Sequence, residues 1–220
     1  MNSNGNPGRF AGLLYVLISI PGIFALIYVP AKLIVHGNAT ATASNIAAHE
    51  TLFRLGIAAN LISQILFMGV ALALYDLLKG INRRQAALML TLIVVPVPIV
   101  LLNERNAIAA LIPVRGADFL SIFENPQRDS LAMLFLNLHS YGFDITAIFW
   151  GLWLFPLGLL VYRSGFIPRL LGVLLMQYEN IVSRWMKPLS FAELLFMFWL
   201  LIMGAKPKPL PGPASPAVAG

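Results

Sequence analysis

The chain contains no cysteine, which excludes disulfide frameworks, thiolate metal centres and cysteine nucleophiles. Charge is also scarce. Only 11% of its 220 residues are Asp, Glu, Lys or Arg, where soluble domains carry about 25%. No polar stretch is long enough to enclose a core of its own, so no separate water-soluble domain is expected. Gly-x-Ser-x-Gly elbows, phosphate loops and paired-cysteine motifs are missing too. A serine or aspartate intramembrane hydrolase therefore has no support in the sequence.

What is present is apolar length. Phe10–Leu33, Leu52–Leu78, Gln85–Leu102 and Phe143–Tyr162 are each close to or above the length at which a helix crosses a hydrocarbon core of about 30 Å. The first run is too long for the h-region of a cleaved signal peptide and reads as a retained span. Hydrophobic residues make up 59% of the chain, and the expected fold is an all-α, multi-pass transmembrane helical bundle. It has about six apolar segments, the last two short or partly truncated. Residues 1–9 read as a disordered N-terminus, 10–204 as one transmembrane domain and 205–220 as a disordered Pro-rich tail.

Within that domain, Gly80–Arg84 is a tight basic turn that makes the second and third runs antiparallel neighbours. Pro96 and Pro98 predict a packing kink in the third run, in preference to a discontinuous helix that presents carbonyls to a ligand. Asn103–Asn106 closes this run at an interface in this reading. The segment from Ala107 to Asp129 then becomes the longest extramembrane stretch, broken by Pro113, Gly116 and Pro126. Leu131–Tyr162 is continuously helix-compatible. Val35–Thr51 reads as a small, polar connection, and Gln177–Ser190 as a polar interruption before the thirteen apolar residues Phe191–Met203.

The net charge of +6 could attract nucleic acid or an acidic membrane surface. The basic residues sit singly at the ends of apolar runs, without an aromatic-interleaved stripe, so nucleic acid is not expected as a partner. Their role is to anchor helix ends at headgroups. With six crossings they divide eight to seven between the two sides. The eight, including Arg83 and Arg84, lie in much shorter loops and share their side only with Asp76. This places both termini in the cytoplasm.

Several polar residues recur at fixed places among these apolar runs. Leu138-His139-Ser140-Tyr141-Gly142-Phe143, Phe149-Trp150-Gly151-Leu152, and Tyr162-Arg163-Ser164-Gly165-Phe166-Ile167-Pro168-Arg169 are the densest. Arg9–Tyr15, Glu50–Ala58, and Glu193 followed by Trp199-Leu200-Leu201 complete the series in order. In these motifs the chain resembles the bacterial integral-membrane family catalogued as domain of unknown function 4386, over nearly its whole length. The resemblance implies a bundle of about six helices in a bacterial cytoplasmic (inner) membrane and no established activity. One departure is the short polar stretch Gln177–Ser190, where similar proteins carry a longer apolar segment.

Ionisable groups inside lipid are costly, so they are functional candidates by default. The expected topology brings His49 and Glu50, Glu104 and Arg105, His139 and Asp144, and Glu193 to the non-cytoplasmic end. Arg54 follows Glu50 by one turn. Asn137, Ser140 and Asp144 share a helical face, whereas His139 lies about 140° from Asp144 and forms no dyad with it. Gly56, Asn60, Ser63 and Gln64 make a polar stripe in the second run. Its bland role is inter-helix hydrogen bonding, typically about 0.6 kcal/mol per contact; its sharper role is a substrate path. The candidates for a ligand site or polar cluster are therefore His49, Glu50, Arg54, Asn60, His139, Ser140, Asp144 and Glu193.

No metal motif is present. His49, Glu50, His139 and Glu193 supply suitable donor atoms but lack the spacing of a recognised site, and the sequence names no cofactor. The leading functional expectation is binding of a lipid, quinone or other small amphiphile at the outer face, in transport or sensing. A membrane-embedded enzyme using the His/Glu group is the alternative, and a structural partner of another membrane protein is the third class.

Overall fold

The computed structural model describes residues 6–177 and 191–206. Among them every regular element is helical, and the fold is an all-α multi-pass bundle. Four helices are long and apolar enough to cross a membrane: α1 (Pro7–Leu33), α3 (Glu50–Leu78), α4 (Arg83–Arg115) and α5 (Asn125–Ser164). Three shorter ones are α2 (Ala39–Ala48), α6 (Arg169–Gln177) and α7 (Phe191–Met203).

Helix α1 begins at Pro7, inside the segment expected to be disordered. Proline suits the first helical position, and the Asn6 side chain accepts from the Gly8 and Arg9 amides. Ahead of Pro30 the helix widens into a π-helical turn, Phe24–Tyr28. Pro30 has no amide hydrogen and its ring crowds the carbonyl four residues back, which the wider turn relieves. Val35–Thr51 is not a simple connection. Asn38 caps α2 by accepting from the Ala41 amide at 2.9 Å, and Ile46 and Thr42 bury completely or nearly so.

Helix α4 corrects the expected topology most. It passes through Pro96 and Pro98 with Val95 still in helical geometry, and it continues beyond Asn103–Asn106 to Arg115. Gly116 stops it with a φ of +68°, a left-handed conformation that suits glycine. Pro126 does not break α5 either. It occupies the first turn, while Glu124 and Gln127 form a capping box that starts the helix two turns before Leu131.

Helix α7 packs against α1, and the fit depends on two glycines. A Cβ on Gly8 would lie 2.2 Å from the Ala205 nitrogen, and one on Gly12 would lie 2.5 Å from that of Leu201. The pair is stitched by the Gly8 amide to the Ala205 carbonyl at 2.9 Å and the Ala205 amide to Asn6 Oδ1 at 2.8 Å. Ala205, at the start of the expected tail, is thus part of the fold. A second close approach joins α5 to α6 at Gly158 and Gly172, whereas Gly151, one heptad earlier on α5, faces open space. The polar stretch before α7 falls almost entirely on 178–190, outside the described residues.

Two apolar cores result. One gathers Tyr15, Leu74, Met89, Trp153, Leu157 and Phe196 near the Gly80–Arg84 turn. The other gathers Val29, Leu33, Ile46, Phe53, Ala107 and Leu111 at the opposite end. Outward, Ile20, Leu72, Leu102, Ile148 and Ile202 are each more than half exposed, an apolar periphery of the kind that faces lipid.

The α1–α7 seam is directly testable. Gly12→Val should lower stability by about 1–3 kcal/mol, since backbone atoms of α7 must move to admit the side chain. Gly22→Ala, with nothing within 4 Å of the added carbon, should not destabilise the protein. Thermal unfolding in detergent micelles measures both.

Candidate functional site: a buried polar layer beside an open groove

Between the two cores the long helices turn polar. On α3 the gap between Ile57 and Phe67, the nearest residues of either core, holds Asn60, Ser63 and Gln64, all at least nine-tenths buried. On α4 the gap between Ile93 and Ala107 holds Asn103 and Glu104, also buried. On α5 it holds His139 and Thr146.

Glu104 is the centre of this layer. Its side chain is only 4% exposed, and Oε1 accepts from Asn60 Nδ2 and meets His139 Nε2 at 3.1 Å. One carboxylate oxygen thereby joins three long helices. The His139 ring is held edge-on by Phe143, with ring centroids 4.9 Å apart. One residue before Glu104, Asn103 Nδ2 donates to the His139 backbone carbonyl at 2.8 Å, while its Oδ1 accepts from Asn106 at 3.0 Å. This contact needs Gly142, where a Cβ would lie 2.2 Å from Asn103 Oδ1. Ser63 Oγ donates to the Asn60 carbonyl. Asn60 Oδ1 and Gln64 Oε1 are buried acceptors with no hydrogen-bond partner among the described residues, a state costly in a low-dielectric interior.

Asn106 leads out of the layer. With Leu102, Arg105, Ile108, Ala109 and Ile112 of α4 and Phe135 of α5 it lines an open groove of about 570 Å³. Asn106 is thus hydrogen-bonded to Asn103, and Asn103 to the backbone of His139, the residue whose ring meets the buried carboxylate.

The expected convergence of all the ionisable candidates at one end does not occur. Glu50 pairs instead with Arg54 at 2.6 Å and with Arg115, closing the ends of α3 and α4 against each other at the surface. His49 is exposed at the α2–α3 junction. Asn137, Ser140 and Asp144 share the exposed side of α5. Glu193 lies half-buried beside the opposite core, where Tyr15 donates to its Oε1 at 2.9 Å. It lies there because α7 runs along the first half of α1. His49, Glu50, His139 and Glu193 consequently do not share a site. Among the described residues, no group of three His, Cys, Asp or Glu could hold a metal ion.

Asn60 and His139 were legible as candidates in the sequence. Asn103, Glu104 and Asn106 were read as a helix end. The available signal was the apolar, helix-compatible stretch Ala107–Val114 that follows them, with Gly116 as the natural stop.

The chain belongs to the family described as domain of unknown function (DUF4386), whose model matches residues 10–204. It is similar to an uncharacterized protein of Archaeoglobus fulgidus, 37% identical over 75 residues, a match that covers 29% of this chain and 46% of that protein. The match thus spans about half the length of that relative. Because the relative is archaeal, family membership alone does not assign a bacterial source. No solved structure matches the chain.

Glu104→Ala should destabilise the protein by about 1–3 kcal/mol, the range for leaving buried partners unsatisfied. Glu104→Gln, which keeps the shape and one acceptor, should cost less. Gly142→Ala should also destabilise by displacing Asn103, although it removes no polar group. Unfolding of the three variants in mixed micelles tests the order.

Proposed function

We propose that this protein is an integral membrane protein, in a bacterial-type cytoplasmic membrane, that binds a small amphiphile such as a lipid or quinone near its outer face. Both termini lie on the cytoplasmic side in this reading. The single observation that carries the proposal is the junction of an open, largely apolar groove with a buried carboxylate-centred layer.

Depth supports it. Counted from the basic turn at 79–84, a core of about 30 Å consumes about 20 residues of α4, which ends close to Glu104. Groove and layer then stand at the boundary between chains and headgroups, where an amphiphile presents both of its chemistries. Apolar walls with a few placed polar groups are the usual composition of such sites.

A second reading rests on the 3.1 Å contact of His139 with Glu104. A carboxylate that orients an imidazole is an arrangement used for general acid–base chemistry, and it would make the protein a membrane-embedded enzyme. Its reactive pair is His139 and Glu104, not the wider His/Glu group expected from the sequence.

Protein purified in mild detergent should carry a co-purifying lipid or quinone, identified by mass spectrometry of its organic extract. Ala109→Trp, which fills the groove, should remove most of that material. A wild-type protein that carries no amphiphile, or a variant that carries as much, would overturn the proposal.

A further inference from the structure

We infer that the groove selects an acidic phospholipid and that Arg105 holds its phosphate. This rests on the amphiphile-binding reading and narrows it to one class of headgroup.

The groove presents donors without acceptor charges. Its lining includes one guanidinium, Arg105, and one amide, Asn106, with no aspartate or glutamate. Nearby arginines are already engaged. Arg54 and Arg115 are paired with Glu50, and Arg128 donates to Asn125 Oδ1. The Arg105 side chain has no hydrogen bond or ion pair among the described residues and is exposed. It stands on a helix face whose other members, Leu102, Ile108 and Ile112, are exposed and apolar.

A cation beside hydrocarbon needs a counter-charge, because desolvation without a partner costs several kcal/mol. Glu104, one residue earlier on α4, points inward and is committed to Asn60 and His139. Among the described residues no carboxylate pairs with Arg105, so its charge is open to a counter-ion from outside the chain. A phosphodiester supplies it with two oxygens that match the guanidinium fork. A quinone offers only a neutral carbonyl and would leave the charge uncompensated. The apolar walls argue against free phosphate. From Leu102 to Ile112 they run about 15 Å along the helix, an apolar surface that a lipid covers and a free phosphate does not.

The test uses the intact protein in neutral detergent, titrated with phosphatidylglycerol or with phosphatidylcholine of the same acyl chains, bound lipid being counted by native mass spectrometry. The wild type should prefer phosphatidylglycerol by about tenfold, which corresponds to about 1.4 kcal/mol. Arg105→Gln should abolish the preference while leaving phosphatidylcholine binding unchanged, and Arg105→Lys should restore part of it. Arg83→Gln, at the basic turn, should keep it. Arg105 is exposed, so neither substitution at that position threatens folding. Persistence of the preference in Arg105→Gln, or its loss in Arg83→Gln, would overturn the assignment to Arg105. Equal affinity of the wild type for both lipids would overturn the headgroup inference and leave amphiphile binding standing. Failure to bind either lipid would overturn the headgroup inference, while amphiphile binding itself stands or falls on the co-purified material.

Discussion

A carboxylate that is nine-tenths buried must be hydrogen-bonded, and in this chain the partners come from two other helices. Asn60 of α3 and His139 of α5 both reach the same oxygen of Glu104 on α4. Apolar helices packed only by leucine, isoleucine and alanine can slide by a turn at little cost, since one apolar contact resembles the next. A polar contact cannot slide without stranding its members in a low-dielectric interior. The layer therefore sets the register of three long helices, in the way a single buried asparagine sets the register of a coiled coil. Its position between two apolar cores is what that role requires: a fixed level with freely packing material on either side.

The first helix is secured by different means. Backbone approach at Gly8 and Gly12, the Asn6 cap shared with Ala205, and the Tyr15–Glu193 hydrogen bond bind α1 to α7. Small residues at the contact and isolated polar links are the usual cement of helices in lipid, where apolar burial alone does not favour protein over solvent. With α1 held at one end of the bundle and α3–α5 pinned at mid-length, the groove on α4 opens from a braced helix. A rigid wall suits recognition, because little ordering of the protein is left to oppose binding.

Much of the frame was legible in the sequence because length alone identifies a helix able to cross a membrane. The four runs that begin at Phe10, Leu52, Gln85 and Phe143 all lie within long helices. Helix α2 was not legible: Ala, Thr, Ser and Asn in its sequence carry little apolar periodicity, and its stability comes from a cap and from burial of Ile46. Helix α4 was cut short because four polar residues and Pro113 resemble a terminus, whereas buried partners on α3 and α5 make them an interior feature. Asn60 and His139 stood out as polar residues among apolar ones. Glu193 was misplaced because its height depends on pairing with α1, about 180 residues away, and no local pattern encodes that pairing.

The central claim is that Glu104 and Asn60 act as one unit across α3 and α4. A double-mutant cycle measures this, with Asn60→Ala, Glu104→Ala and the double variant unfolded reversibly in mixed micelles. The account predicts a coupling energy of about 1 kcal/mol or more, since each partner's loss strands the other. Additivity of the two single effects within about 0.5 kcal/mol would contradict it and reduce the layer to polar residues that happen to lie side by side.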